Sequence, residues 1–313
     1  MSPRFTLVLG GGGSTGMAYM CGGLRALEDA AGLRADDADL IIGTSAGSVL
    51  AADIRRGKPL AEMLRSVDPT SEDRSEVVRA WRSIPDLTRR VVGSAWVASR
   101  TAFPVPIPAP EPPGFLQRMF PASLLTVAGD EPWAMRYPVE WPQKPMWITA
   151  CNLDTKRRVV LSRTQRNPES TLRQALRASC AVPGVYSPIR VDNQRLVDGG
   201  VASVNNLDLA VRAPTDIVIA LAPMGFDPRH PPGALRTLTR SRVNAVMAGE
   251  ADRVRRAGKR LLLIRPTGSE LEKHGFNFLS NRGNDVIEQA AYDATMSALT
   301  SDRLRLLFGR VAA

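Results

Sequence analysis

The first sixty residues contain two glycine-rich turns, and each follows a short apolar run and precedes a helical pattern. The apolar run Phe5–Leu9 leads into the first turn, and residues 40–42 lead into the second. Residues 17–31 have apolar side chains at helical spacing, and a second helix is predicted to end near Gly57. Two consecutive strand–turn–helix units favour an α/β fold whose mostly parallel central sheet has helices on both faces.

The same alternation of strands and helices resumes after residue 145. Strands are predicted at 146–150, 158–161, 195–197, 216–221 and 260–264, and helices near 170–179, 234–257 and 284–307. Residues 59–145 differ, because short amphipathic pieces surround alternating prolines between Pro104 and Pro113, which fit neither a helix nor a central strand. We therefore predict one domain over residues 1–313, with residues 59–145 inserted as a cap or lid.

Four tryptophans lie in this predicted cap: Trp81, Trp96, Trp133 and Trp141. Two interpretations of them stay open. Indole rings favour the membrane surface, so they could contact lipid. Alternatively, they pack the cap against the core.

The composition is that of a globular protein, since 44% of the 313 residues are apolar and the chain can bury a full core. Three scattered cysteines form neither a disulfide framework nor a C-x-x-C pair, which favours a reducing, cytoplasmic setting. The formal net charge of +10 attracts anionic surfaces, and peripheral membrane contact is one expectation. The arginines are spread along the chain, however, so compositional bias is the favoured explanation and no nucleic-acid partner is expected.

The longest uncharged stretch, residues 5–24, raises the question of a membrane span or a signal peptide. It is too rich in glycine for a stable isolated helix, and the apolar run before the glycines is short for a signal sequence. The mature protein is therefore expected to begin near Met1.

The sequence G-T-S-A-G at residues 43–47 lies between a predicted buried strand and a predicted helix. A nucleophilic serine at such a position needs a very tight turn, which explains glycines two residues to either side of it, here Gly43 and Gly47. The following helix directs its first N–H groups toward a reacting carbonyl. The pattern therefore predicts Ser45 as a nucleophile, in preference to a plain glycine turn.

The first turn, G-G-G-G-S-T-G at residues 10–16, has two interpretations. Backbone N–H groups aimed at the oxygen of an ester carbonyl stabilise its developing charge by about 3 kcal/mol per donor, so the loop is a candidate oxyanion hole. The pattern G-x-G-x-x-G at residues 11–16 also matches a dinucleotide fingerprint. That fingerprint needs an acid at the carboxyl end of the second strand, and the nearby acids all precede that strand: Asp36, Asp37 and Asp39. The oxyanion hole is the favoured prediction.

Asp198 follows a predicted strand and precedes Gly199 and Gly200. A serine hydroxyl needs a base to remove its proton, and the chain has only two histidines. His230 completes the Ser-Asp-His order of the α/β hydrolases and stays an alternative base, although it lies in a proline-locked loop. His274 is a further alternative. The favoured base is Asp198, whose basicity desolvation can raise.

Together these motifs resemble the patatin-like phospholipase family. The similarity covers residues 5–49 and 170–210, including the stretch L-R-A-S-C-A-V-P-G-V-Y at 176–186, while the middle section is not recognisable. The resemblance implies a three-layer α/β fold and a Ser45–Asp198 dyad that hydrolyses acyl esters of phospholipids or neutral lipids without a metal or cofactor. By the same resemblance, the oxyanion donors are Gly11, Gly12 and Gly13, and the supporting glycines are Gly16, Gly199 and Gly200.

Two features depart from the family pattern. Thr15 stands where family loops usually have Arg or Lys, which removes a charge but leaves the backbone donors. The family often has an Asn-Pro pair after D-G-G, whereas Asn205-Asn206-Leu207 lies one residue further along here. An acyltransferase that passes the Ser45 acyl group to an alcohol or thiol stays an alternative, because its first half-reaction is the same. The sequence predicts no oligomeric state.

Overall fold

The computed structural model describes residues 3–63, 123–125, 133–166, 168–273 and 283–299. Most of the predicted cap, with Trp81 and Trp96, lies outside the described residues, as does His274. The chain divides into two compact units: the first is Met1–Asp68, Pro142–Thr149 and Ser203–Ala313, and the second is Pro69–Trp141 and Ala150–Ala202. A single domain with a cap at residues 59–145 stays a prediction.

The described helices and strands are numbered here in chain order. The strands are β1 (Phe5–Leu9), β2 (Leu40–Thr44), β3 (Ser123–Leu125), β4 (Met146–Asn152), β5 (Arg158–Leu161), β6 (Gly184–Tyr186), β7 (Ile189–Val191), β8 (Gln194–Asp198), β9 (Ile217–Leu221) and β10 (Arg260–Ile264). The helices are α1 (Gly13–Ala31), α2 (Ala46–Arg55), α3 (Leu60–Met63), α4 (Leu172–Ser179), α5 (Ala234–Arg256), α6 (Gly268–Lys273) and α7 (Asn284–Ala298).

The first unit is built on parallel strands in the order β10-β9-β1-β2-β4, to which β4 contributes its first four residues. Strands β1, β2 and β9 are buried along their whole length, as expected for parallel strands covered by helices. Leu9 is level with Gly43 on one side and with Leu221 on the other. The residues that follow β1, β2 and β9 therefore meet at one edge of the sheet.

Close backbone contacts bring α1 against α7 in the same unit. A methyl group on Gly22 would lie 2.1 Å from the backbone oxygen of Glu288, so only glycine allows this approach. Helix α1 ends at Gly32, which has the left-handed conformation typical of a helix C-terminus, φ 65°. The glycines of α1 therefore set both its packing and its end.

The second unit contains antiparallel pairs, since the last three residues of β4 pair with β8 and β8 pairs with β7. Helix α4 begins with a capping box, in which the Thr171 hydroxyl accepts from Gln174 N and the Gln174 side chain accepts from Thr171 N. The indole of Trp141 donates to the backbone oxygen of Ser170 over 2.7 Å. This contact favours the packing interpretation for Trp141.

The predicted α/β fold with a mostly parallel sheet is confirmed. Most predicted strands and helices are found within a few residues of their expected bounds, whereas the strands β3, β6 and β7 were not predicted. Each has only three residues, too few to show alternation of apolar and polar side chains. Each helix in the described ranges is too short or too polar to span a lipid bilayer.

Candidate active site

Ser45 forms the turn between β2 and α2, with backbone angles that residues bearing a side chain rarely adopt, φ 52° and ψ −123°. Such strain costs of order 1–3 kcal/mol and persists only where surrounding contacts hold it. Here the Ser45 carbonyl oxygen accepts from Ser48 N at 2.8 Å and from Ser48 Oγ at 2.6 Å. Ser45 is half-buried, while its neighbours Thr44 and Ala46 are buried. The turn therefore leaves the serine as the accessible residue.

The glycines that flank Ser45 occupy positions with no room for a side chain. A methyl group on Gly43 would lie 2.6 Å from Ser48 Cα, and one on Gly47 would lie 2.1 Å from the backbone oxygen of Leu9. Real contacts of this kind are never so short, so any larger residue would displace the backbone. The tight turn at Ser45 thus depends on glycine at both positions.

The glycine loop that follows β1 lies directly beside Ser45. A methyl group on Gly11 would be 3.3 Å from Ser45 Cβ. Two backbone hydrogen bonds hold the loop there: Gly10 N donates to the oxygen of Leu221 at 3.0 Å, and Gly11 N donates to that of Val204 at 2.9 Å. The loop is therefore fixed to the end of β9 and to the segment after residue 203.

The backbone N–H groups of this loop differ, because some already donate a hydrogen bond within the protein and others do not. Gly11 N–H donates to the Val204 carbonyl, which disfavours the predicted role of Gly11 as an oxyanion donor. Within the described ranges, Gly12 and Gly13 N–H have no hydrogen-bond acceptor, as is usual where a helix begins. Both residues have positive φ, 156° and 61°, which glycine adopts readily. The candidate donors are therefore Gly12 and Gly13.

Gly16 and Thr15 support the loop from the first turn of α1. Gly16 N donates to Gly12 O at 2.9 Å, and a methyl group on Gly16 would lie 3.2 Å from Pro223 Cγ. Thr15 is buried, and its hydroxyl donates to Gly12 O at 3.3 Å. Thr15 thus contributes a hydrogen bond to the loop backbone in place of a positive charge.

Asn206 belongs to the stretch that departs from the family's Asn-Pro pair, and the sequence left its supporting role open. Its buried Nδ2 lies 3.0 Å from Thr44 Oγ1, 3.2 Å from Thr149 Oγ1 and 2.5 Å from the backbone oxygen of Ser203. The two threonine hydroxyls also bond to each other at 2.8 Å. Thr44 directly precedes Ser45, so this network ties the nucleophile turn to β4 and to the loop after residue 203.

Asp198 is the last residue of β8, in the second unit, and its side chain is buried. Its backbone N–H donates to Ala181 O at 2.9 Å, and its carboxylate Oδ1 accepts from Gly200 N at 2.7 Å. A methyl group on Gly200 would lie 3.0 Å from that oxygen. Gly199 and Gly200 begin a short 3-10 turn in which Gly200 N–H orients the carboxylate. The pairing of Asp198 with Ser45, which lies in the first unit, stays a prediction.

The alternative base His230 lies in an exposed loop. Its ring is 67% exposed, and Nδ1 lies 3.7 Å from the carboxylate of Asp227. A histidine base is normally held by its acceptor and also reaches the nucleophile, and this placement gives no support to that role.

Cysteine is the other common nucleophile, and two of the three cysteines are buried. Burial raises the pKa of the Cys21 thiol far above its usual range, and burial also raises the pKa of Cys151. Because the thiolate is the reactive form, neither competes with Ser45. Among the described side chains, no group of three or more His, Cys, Asp or Glu is arranged to hold a metal ion.

The acids that a dinucleotide site would need lie at the wrong end of β2. The Asp39 carboxylate accepts from Phe5 N at 3.1 Å, at the start of β1, and Asp36 and Asp37 lie in a 3-10 turn ahead of β2. Since β1 and β2 are parallel, this end is opposite to the glycine loop. The arrangement disfavours the dinucleotide interpretation.

Comparison with known proteins identifies one family and several solved structures. A model of the Patatin family, described as patatin-like phospholipase, matches residues 7–211. The structure of VipD from Legionella pneumophila matches at 14% identity and a TM-score of 0.44, covering 95% of this chain and 66% of that one. The type III effector ExoU matches at 14% identity and a TM-score of 0.42, covering 97% of this chain and 54% of that one. The ExoU-SpcU complex from the type III secretion system of Pseudomonas aeruginosa matches at 19% identity and a TM-score of 0.39, covering 97% of this chain and 52% of that one. The chain thus spans between about half and two thirds of these matched chains.

Proposed function

Since the chain belongs to the patatin-like phospholipase family, we propose that it hydrolyses acyl ester bonds of phospholipids or neutral lipids, with Ser45 as nucleophile and Asp198 as base. The observation that carries the proposal is the turn at Ser45, a strained and accessible serine with a glycine loop packed against it. Strained backbone of this kind, at the carboxyl end of a parallel strand, is characteristic of a nucleophile that must project from the sheet.

In the first half-reaction, the Asp198 carboxylate removes the proton of the Ser45 hydroxyl while Oγ attacks the ester carbonyl carbon. The negative charge that develops on the carbonyl oxygen accepts hydrogen bonds from Gly12 N–H and Gly13 N–H. The tetrahedral intermediate then expels the alcohol, which leaves with the proton from Asp198. The products of this step are the free alcohol and an acyl ester on Ser45.

In the second half-reaction, Asp198 removes a proton from water as the water oxygen attacks the acyl carbonyl. The same two N–H groups stabilise the oxyanion, and collapse of the intermediate returns the proton to Ser45 Oγ. The fatty acid is released and the enzyme is restored. A competing alcohol or thiol in place of water would give acyl transfer, so the choice of acceptor is decided in this step alone.

Labelling with a fluorophosphonate probe tests the nucleophile, and turnover of p-nitrophenyl esters of different chain length tests the reaction. Wild-type protein is expected to label and to turn over the esters. Ser45→Ala should lose both, and Asp198→Asn should lose turnover by at least about a hundredfold, because no base remains to accept the proton. His230→Ala is the matched control and should retain both.

Three outcomes would contradict the proposal. Folded wild-type protein that does not label has no activated serine at position 45. Equal labelling of Ser45→Ala places the nucleophile elsewhere. Loss of turnover in His230→Ala, with Asp198→Asn active, would transfer the base to the histidine. Adding glycerol or a thiol to the wild-type reaction measures acyl transfer against hydrolysis.

A further inference from the structure

Helix α5 has apolar side chains on the side that faces solvent. Leu235 is 65% exposed and Leu238 is 73% exposed, and Val246 is also exposed. These three positions lie on one face at helical spacing, while Met247 and Val254 are buried on an adjoining side of the helix. A helix of a globular protein usually has polar residues on its outer face, so the exposed leucines of α5 need an explanation.

The segment around these leucines is strongly basic. Residues 228–249 contain four arginines and no acidic residue: Arg229, Arg236, Arg240 and Arg242. Arg242 is exposed; Arg229 is exposed as well but pairs with Asp227 at 2.7 Å, and Arg240 is buried. Exposed leucines with neighbouring arginines are the combination by which an amphipathic helix binds at the surface of an anionic bilayer.

The amino-terminal half of α5 is held against the loop that carries the candidate oxyanion donors. The Arg240 guanidinium donates to the backbone oxygen of Pro223 at 3.1 Å. The Pro223 ring in turn packs on the glycine loop, since a methyl group on Gly12 would lie 3.2 Å from Pro223 Cγ. Pro223 follows β9, so these contacts lie at the edge of the sheet where Ser45 follows β2. The helix that carries Leu235 and Leu238 is therefore anchored at the edge of the sheet where Ser45 lies.

We propose that residues 229–246, from the loop ahead of α5 through the exposed face of its amino-terminal half, dock on a bilayer that contains anionic phospholipid. Leu235 and Leu238 enter the interfacial region, and Arg242 lies among the headgroups. A stable protein interface buries about 800 Å² on each partner, more than three exposed apolar side chains supply, which favours a lipid surface over a protein. The inference rests on the proposed function, because it names the surface from which lipid reaches Ser45.

Vesicle flotation of the full chain tests the docking. The protein carries Ser45→Ala, so that vesicles are not consumed, and the vesicles are phosphatidylcholine alone or mixed with phosphatidylglycerol. Binding is expected on the mixed vesicles and should fall on neutral ones. Leu238→Asp should lower partitioning to mixed vesicles by about tenfold or more, because a carboxylate replaces apolar surface at the interface. Val286→Asp is the charge-matched control, since Val286 is 51% exposed on α7, and it should bind as the parent does.

Unchanged partitioning of Leu238→Asp overturns the proposal, as does an equal loss in Val286→Asp, which would show a general charge effect. Equal binding to neutral vesicles overturns the role of the arginines. A change in the sedimentation coefficient of Leu238→Asp without lipid would assign the face to contact between protein copies, which also overturns it. Turnover of a water-soluble p-nitrophenyl ester by protein with Ser45 intact is measured separately. Its absence refutes the proposed function, while the flotation result still decides the docking.

Discussion

The Nδ2 group of Asn206 donates to the hydroxyl of Thr44 across 3.0 Å, in a fully buried contact between residues that are 162 positions apart in the chain. Thr44 is the residue before the candidate nucleophile, and Asn206 itself has a left-handed backbone, φ 49°. A buried carboxamide that bonds to two threonine hydroxyls and a backbone oxygen holds its neighbours in one arrangement. Asn206 is therefore a positioning residue for the Ser45 turn.

Asn206→Ala is expected to lower both stability and turnover. Removing the donor leaves buried threonine hydroxyls with fewer partners, at a cost of about 1–3 kcal/mol in the free energy of unfolding. The kcat for a soluble ester should fall more than KM changes, because the nucleophile turn is less well fixed. Urea unfolding and steady-state kinetics measure the two effects. Asn206→Gly is the matched variant, because it keeps the left-handed backbone without strain, and wild-type kcat in both variants would refute the positioning role.

Gly47→Ala is expected to destabilise the protein by more than about 2 kcal/mol, since its methyl group would lie 2.1 Å from the Leu9 backbone oxygen. Labelling of Ser45 by the fluorophosphonate probe should be lost with it. Gly233→Ala is the control, because nothing lies within 4 Å of the added methyl group and φ is −53°. Chemical denaturation of both variants measures the difference. Equal stability of the two would contradict the steric account of the turn.

Gly11→Ala is expected to displace Ser45 with little effect on the stability of the fold. The added methyl group would touch Ser45 Cβ at 3.3 Å and Val204 Cγ1 at 3.5 Å, contacts that small shifts relieve. Stability should therefore change by less than about 1 kcal/mol. Turnover of a soluble ester should fall about tenfold or more, because a small misplacement of the nucleophile is costly. Gly249→Ala, which meets only the end of the Arg253 side chain at 3.9 Å, is expected to leave turnover unchanged.

Asp227 should give the fold a stability contribution that is lost in acid. The Arg229 side chain, which bonds to this carboxylate at 2.7 Å, holds its pKa down to about 2; Arg265 and His230 also face it. A carboxylate whose pKa is depressed by folding stabilises the protein above its unfolded pKa of about 4, and that contribution disappears as the pH falls toward 2. Asp227→Asn should therefore have a lower melting temperature than wild type at neutral pH, and the gap should close in acid.

The control for this pH dependence is Asp252→Asn. Asp252 pairs with Arg255 at 3.4 Å, but both side chains are exposed, and surface pairs contribute little. The melting temperature of Asp252→Asn should therefore equal that of wild type from neutral to acidic pH. A gap for Asp227→Asn that stays constant from neutral to acidic pH would show that packing, and not charge, accounts for the loss.

Much of the first unit could be predicted because its signals are local. The apolar run of β1 and the glycines after it identify a strand and a turn within about ten residues. The site was less predictable, because its contacts join distant segments. Asn206 bonds to Thr44 and Thr149 only once β2 and β4 are paired, and neither partner is within fifty residues of it. No local pattern could assign it that role.

The local sequence was enough to predict that Ser45 lies in a turn that only flanking glycines allow, because the steric demand of a tight turn acts on the residues next to it. Which backbone N–H groups of the glycine loop remain available depends on how the whole chain folds. Gly11 and Gly12 are adjacent glycines with equal local freedom, yet Val204 brings an acceptor to one N–H group and not to the other. A hydrogen bond between distant segments depends on strand register and loop placement, which exist only in the folded chain.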